Sequence, residues 1–505
     1  MMTKPLDRLH ELDRNARRAL NISSLLQWDQ ETYLPEKAVE GRADQLADIE
    51  GLVHDRTTDP ELGRLLLSLG STTDNPGGDE SLPALDRDFL RVMRLDYDRN
   101  TKIPKELAVA MARDEGLSQA AWVQARKTND FSTFAPHLSR MIEYARKKAE
   151  YWGFAGHPYN GLLDEHERGM TETMVDGLFI PLKESLVSLV RRIGGKPRID
   201  KSFLQHDYPV EVQDAFGRSL MRDLGLDLGR GRLDLSAHPF TTTLGDDDIR
   251  ITTRYFPGNM LSGLFSIIHE TGHAMYEQGF GPAIRSTSLA EGASMGVHES
   301  QSRLWENVIG RSRAFWEGRF PGLREAFPEQ LAGVSPEAFY RAVNVVEPSL
   351  IRVDADEVTY SLHIILRFEL ERKLFNGTLA VKDLPTEWSR AMKDILGVIP
   401  ANDAEGVLQD VHWSIGAFGY FPSYALGNIY GLQLWNAMKR DLPGVDGDLR
   451  NGRYQVPLGW FRQRIHEQGR RVPPAELVRS VCGGSIDSKP FIDYLETKYT
   501  ELYGL

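Results

Sequence analysis

Apolar side chains recur at three- and four-residue steps along most of the chain, in long segments separated by short Gly, Pro and Asn punctuation. In VTYSLHIILRFELERKLFNG, Val358, Leu362, Ile365, Leu366 and Leu370 form such a stripe, with Arg367 and Glu371 off it, until Asn376 and Gly377 stop it. The spacing predicts a core helix there and a mainly α fold. One stretch differs. In HPFTTTLGDDDIRITTRYF, Ile249, Ile251, Thr253 and Tyr255 alternate with Asp248, Arg250, Thr252 and Arg254, a period of two that predicts a β-hairpin turning at Gly245 to Asp247. GSTTDNPGGDESLP, Gly70 to Pro83, reads as a solvated loop between N-terminal helices. No repeat of fixed period is present, and no Pro- or Gly-rich linker divides the rest. Residues 1–505 are therefore expected to form a single intertwined, two-lobed helical unit.

Composition narrows the partners. With 41% hydrophobic and 26% charged side chains over 505 residues, the chain is long enough for one large or two medium cores. A net charge of −12 argues against nucleic acid, because phosphate-backbone binders replace condensed counterions with basic patches. The only cysteine is Cys482, which excludes an internal disulfide and a thiolate-built zinc site and fits a reducing cytosol. Any metal must sit on His and carboxylates. The opening MMTKPLDRLHELDRNARRAL reads as a charged amphipathic helix without an apolar signal core, and no later run approaches the roughly 18 apolar residues of a membrane span. The expectation is a soluble cytoplasmic protein with no membrane partner.

The chemistry concentrates in LFSIIHETGHAMYEQG, Leu264 to Gly279. On a helix, His269 and His273 share a face about 6 Å apart along the axis, so both can turn a ring nitrogen to one ion. Glu270 sits about 100° round, where it can touch water at the ion without becoming a ligand, the position of a general base. Catalytic zinc usually takes three protein ligands. Glu277 continues the series but lies about 12 Å along the helix from His269, too far to share an ion. The three-histidine pattern fails as well, with Tyr276 and Gly279 where its Gly and third His should stand. The third ligand must come from EGASMGVHESQSRLWENVIG, on a second helix returning antiparallel after Gly279 and Gly281. Glu291, Glu299 and Glu306 compete. Glu291 is flanked by glycine and Glu306 falls among residues that read as a solvated face, so Glu299, central and next to His298, Gln301 and Ser302, is preferred.

These residues resemble the carboxypeptidase Taq family of metallocarboxypeptidases. The likeness rests on HPF at His238 to Phe240, DIRIT at Asp248 to Thr252, HETGH, HESQ at His298 to Gln301, IRVDAD at Ile351 to Asp356 and GVLQDVHW at Gly406 to Trp413. WDQETYLP near the N-terminus and GYFPSYALGN near the C-terminus extend it over nearly the whole chain. The resemblance implies one zinc or cobalt ion held by His269, His273 and Glu299, with Glu270 as base. It also implies a helical fold with a long substrate groove, similar to the angiotensin-converting enzyme and neurolysin type, the removal of C-terminal amino acids from peptides, and a homodimer.

Peptide hydrolysis also needs donors for the developing oxyanion, and His412 in QDVHW and Tyr420 in GYFPSY are the candidates, an imidazolium and a phenol. Exopeptidase action needs a cation for the substrate's terminal carboxylate, for which the planar fork of arginine is suited. Arg352, in one of the shared blocks, comes first and Arg250 second; Asp354 and Asp356 offer Arg352 a purely structural pairing instead. An oligopeptidase on the same scaffold would keep the metal and base but lack this anchor. A binding protein with a dead metal site is the remaining rival, and the intact His269, Glu270, His273 and Glu299 argue against it.

Overall fold

The computed structural model describes residues 4–505. The opening helix, Pro5–Thr32, turns Leu9, Ala16, Ala19 and Trp28 inward, as its amphipathic sequence predicts; Met1 to Thr3 lie outside the described residues. Gly70 to Pro83 links helices Pro60–Ser68 and Ala84–Lys102. Among the described residues no helix is long and apolar enough to cross a membrane.

The predicted core helix spans Tyr360–Phe375, but it is buried all round from Tyr360 to Phe368, Arg367 included, and Glu371 is buried too, while Glu369, Arg372 and Lys373 are half-buried. Partners make that burial tolerable. Arg367 donates to Asp410 Oδ2 at 2.7 Å and to Gln409 Oε1 at 2.8 Å, and Glu371 accepts from Tyr159 Oη at 2.6 Å and Trp413 Nε1 at 2.7 Å. Hydrophobic periodicity cannot register a polar group whose partner lies tens of residues away.

The sheet has three strands in the order β1-β3-β2: β1 (Gly231–Leu235), β2 (Thr241–Gly245) and β3 (Asp248–Thr253). The expected hairpin is β2–β3, antiparallel, with Thr241 opposite Ile251 and Thr243 opposite Ile249. β1 pairs with β3 in parallel and corrects the single-hairpin reading. Its sequence, GRLDL, has two apolar positions and a partner strand reached only through the intervening chain, so local alternation gives it little signal. Ile249, Ile251 and Thr253 turn one face of the sheet toward helix Met260–Gln278, where Thr253 Oγ1 donates to Ser266 Oγ at 3.2 Å. β2 is an edge strand.

Helix Met260–Gln278 begins at Asn259, whose side chain accepts from Ser262 N, and ends at Gly279. Helix Met295–Arg303 begins at Ser294, whose hydroxyl accepts from Val297 N at 3.0 Å. The two run antiparallel, since Glu277 meets His298, His273 meets Glu299 and His269 meets Glu306. Gly272 permits the close approach: a Cβ there would lie 2.7 Å from Ser302 Cα and 2.9 Å from the Gln301 carbonyl. After Arg303 the helix widens into a π segment, Leu304–Ile309, closed by Gly310 N donating to Trp305 O at 2.8 Å.

Candidate metal centre

His269 and His273 project from one face of helix Met260–Gln278, as their spacing requires, and Glu299 meets them from helix Met295–Arg303. Glu299 Oε2 lies 3.8 Å from His269 Nε2 and 3.4 Å from His273 Nε2, and one ligand atom from each residue lies within 4.8 Å of the others. Arg303 Nε donates to Glu299 Oε1 at 2.7 Å, while Oε2, which also accepts from Ser302 Oγ at 3.3 Å, faces the histidines. On helix Phe421–Asp441, Gly427 leaves room for this carboxylate: a Cβ there would lie 2.7 Å from Glu299 Cγ.

A second layer fixes the ring nitrogens. His269 Nδ1 lies 2.9 Å from Glu306 Oε2 and His273 Nδ1 lies 2.5 Å from His298 Nδ1. His298 Nε2 in turn lies 2.7 Å from Glu277 Oε1, and Thr243 on β2 donates to Glu277 Oε2 at 2.8 Å. With Nδ1–H donating from each of His269 and His273, both Nε2 lone pairs point inward, the tautomer a metal ligand requires. The donor set fits a divalent ion of the zinc type: two imidazoles, one carboxylate and outer hydrogen bonds on both rings. Electrostatics agree. Burial opposes charge on Glu299 and Glu306, yet the Arg303 guanidinium outweighs it, holding Glu299 well below the usual carboxylate range and Glu306 at about 2. Burial also pulls His273 down to about 3, so its imidazole is neutral.

Glu306 corrects the solvated-face reading. It is buried, and the π segment that carries it breaks the 3.6-residue period on which that reading rested. Glu291 lies away from the histidines and pairs with Arg470 at 2.9 Å and Arg17 at 3.3 Å. Glu277 serves His298 rather than an ion.

Glu270 is buried beside the triad, and Thr241 on β2 donates to its Oε2 at 2.7 Å. Burial raises its pKa, with His269 and Thr241 opposing. Two cavities follow helix Met260–Gln278. One, of about 720 Å³, is lined by His269, Glu270, Arg303, Arg352 and Tyr360. The other, of about 470 Å³, is lined by Thr241 to Thr243 of β2, Glu277, Ser294 and His298. His269 and Glu270 line the larger, and Glu277, two turns further along the same helix, lines the smaller.

Arg352 is 7% exposed in the short turn Arg352–Asp354 and lines the larger cavity. Its Nε donates to Asp410 Oδ1 at 2.9 Å and its Nη1 to Tyr360 Oη at 3.2 Å. Asp354 and Asp356 are not its partners: Asp356 caps the next helical turn at Val358 N and Thr359 N. Asp410 also accepts from Arg367, so two buried guanidinium groups share one carboxylate. Arg250 lies elsewhere. On the far face of β3 it donates two hydrogen bonds to Asp248, Nε to Oδ1 and Nη2 to Oδ2, both at 2.8 Å, and its guanidinium lies 4.2 Å from the Trp28 ring centre.

His412 and Tyr420 meet in an aromatic wall. His412 Nε2 lies 3.1 Å from Tyr424 Oη and its ring lies tilted against Phe421, with centres 4.4 Å apart. Burial, aided by the charge of Arg352, lowers its pKa to about 3, so the imidazolium expected from sequence is a neutral imidazole. Tyr420 packs 5.0 Å from His166, a residue of the smaller cavity, and burial together with the Glu299 charge keeps its phenol protonated. Sequence reasoning missed Thr241, Glu277, Tyr360 and Asp410 as parts of the site, because each acts through a partner distant in the chain.

Comparison with known proteins places this geometry. Residues 8–499 match the family model described as carboxypeptidase Taq (M32) metallopeptidase. Thermostable carboxypeptidase 1 of Thermus thermophilus is 43% identical over 98% of both chains, and carboxypeptidase 1 of Bacillus subtilis is 39% identical over 95% of both. Among solved structures, the M32 carboxypeptidase from Deinococcus radiodurans R1 superposes with a TM-score of 0.96 at 41% identity, covering 99% of this chain and 100% of that one.

Proposed function

We propose, on the premise that this chain belongs to the carboxypeptidase Taq (M32) family of metallopeptidases and is a metal-dependent carboxypeptidase, that His269, His273 and Glu299 hold its ion and Glu270 is its general base. The ion, zinc first and cobalt second, supplies Lewis acidity to the scissile carbonyl and acidifies water. Glu270 Oε1 takes the proton of the attacking water, while the Thr241 hydroxyl holds Oε2 and so aims the carboxylate. Burial raises the affinity of Glu270 for that proton and readies it for delivery to the leaving amine. Tyr420 and the neutral His412 are the candidate donors to the oxyanion.

Arg352 anchors the terminal carboxylate of the substrate. One acidic group, Asp410, is divided between Arg352 and Arg367, so this trio carries a net positive charge, which Arg352 brings to the wall of the larger cavity and a peptide carboxylate balances. Arg250, already committed to Asp248, is the second choice. The broad specificity belongs to the C-terminal residue released, while upstream residues of the peptide extend along the β2 edge, where the backbone can pair. The proposal extends to one catalytic domain over residues 1–505 and a homodimer in the cytoplasm.

The observation that carries this reading is the convergence of three ligand atoms within 4.8 Å beside Glu270, on a cavity that Arg352 also lines. A time course on an unblocked peptide, after chelation and again with added zinc or cobalt, tests it. The expected product is the C-terminal amino acid first and its neighbours afterwards in order, only with metal. Internal fragments, or release unaffected by chelation, would overturn it in favour of an oligopeptidase or a metal-free route.

A further inference from the structure

The smaller cavity holds two guanidinium groups, Arg91 and Arg168, that neither metal nor base explains. Four carboxylates line it, Asp164, Glu165, Glu277 and Glu291, and each is engaged. Asp164 pairs with Arg99, Glu165 with Lys148 at 2.7 Å, Glu277 with His298 at 2.7 Å and Glu291 with Arg470 at 2.9 Å. Arg91 and Arg168 line the same cavity, and among the described residues neither has a carboxylate within 4.0 Å. The Arg91 guanidinium rests on the carbonyls of Arg470 and Arg471, at 3.2 and 2.6 Å, dipoles that leave its net charge in place. Burial lowers the pKa of both, more than Asp88 and Asp164 restore, as expected for cations drawn from water without full compensation. Arg91 and Arg168 are thus two guanidinium groups in one concavity with no direct carboxylate partner.

Position gives these two cations a use. The larger cavity, with Arg352, takes the C-terminal end of the peptide, so the smaller one, further along helix Met260–Gln278 and beside β2, takes the residues upstream of the scissile bond. An extended peptide advances about 3.3 Å per residue and turns alternate side chains to alternate sides. We infer that Arg91 and Arg168 form an upstream subsite that selects peptides with acidic side chains before the scissile bond. This rests on the carboxypeptidase reading above and adds to it the substrate class.

The test is kcat/KM on a peptide series that ends in one common residue and carries Glu, Gln, Lys or Ala at each of the four upstream positions. With the metal-loaded wild type, Glu at one or two of these positions should exceed Lys by about tenfold, the preference shrinking at high salt as exposed charges are screened. Arg168→Gln should lower the preference, and the Arg91→Gln/Arg168→Gln pair should abolish it, while the all-alanine peptide changes by less than about threefold. Arg168→Lys, which keeps the charge, should keep most of the preference, and this separates charge selection from local damage. Equal rates for Glu and Lys peptides, a preference for Lys, or a Glu preference that survives the double variant would overturn the inference. Absence of C-terminal release even from the all-alanine peptide would sink both readings, whereas release without charge selection would sink this one alone.

Discussion

Replacing Arg352 with alanine separates anchoring from catalysis, because of the way charge is shared around Asp410. Two guanidinium groups meet one carboxylate, so removing Arg352 leaves Asp410 paired with Arg367 and strands no buried charge. Folding should lose only the hydrogen bonds to Asp410 and Tyr360 and some packing against Tyr424, about 1–2 kcal/mol. Catalysis should lose more. A guanidinium and a carboxylate about 4 Å apart at an effective dielectric near 20 attract by roughly 4 kcal/mol, an upper bound for this contact. Arg352 is buried, but its Nε stays with Asp410, so a loss of about 3 kcal/mol is expected, on the order of a hundredfold in kcat/KM. The assay is steady-state kinetics on matched free-acid and amide peptides, with metal content measured on the same samples. The free acid should lose its advantage, the amide should change little, and the metal should stay. An unchanged acid-to-amide ratio would refute the anchor and move attention to Arg250. Asp410→Asn supplies the opposite control: it leaves two buried cations without a counterion and should cost about 3–5 kcal/mol of stability, read as a fall in Tm.

Glu277→Gln and Glu306→Gln should each weaken metal affinity about 10- to 100-fold without removing a ligand, measured by competition with a chelator; unchanged affinity in both would show that the outer layer is inert. Gly427→Ala drives a methyl against the Glu299 side chain and should reduce metal occupancy at limiting zinc, whereas the wild-type occupancy would contradict the packing argument. Tyr420→Phe should lower kcat by about 10- to 100-fold with KM nearly unchanged if its hydroxyl serves the oxyanion; an unaltered kcat leaves it a wall residue.

The parts of the site that were legible in the sequence are those whose chemistry is local. His269, Glu270 and His273 fall within one helical turn, and i, i+4 geometry alone joins them. The β2–β3 hairpin was legible because Ile249 and Ile251 alternate beside a turn. Glu299 required a second helix to return past the first, and Gly279 and Gly281 signalled the break. What stayed hidden depends on burial and distant partners. Glu306 looks solvated at a period of 3.6 but sits in a π segment that carries it to His269. Arg367 and Glu371 look like an outward face but bond to Asp410 and to Tyr159 and Trp413 inside the core. Nor does composition tell a charged imidazole from the neutral one that burial makes of His412.

The most direct test of the account is a metal titration of Glu270→Gln beside the wild type, with bound metal and released C-terminal amino acid followed in the same samples. The amide can still accept and donate hydrogen bonds around Thr241 but cannot take the proton of water. The account predicts one ion per chain in both proteins, with amino-acid release that rises with bound metal in the wild type and is essentially absent in the variant. Near-normal release from fully loaded Glu270→Gln would contradict it.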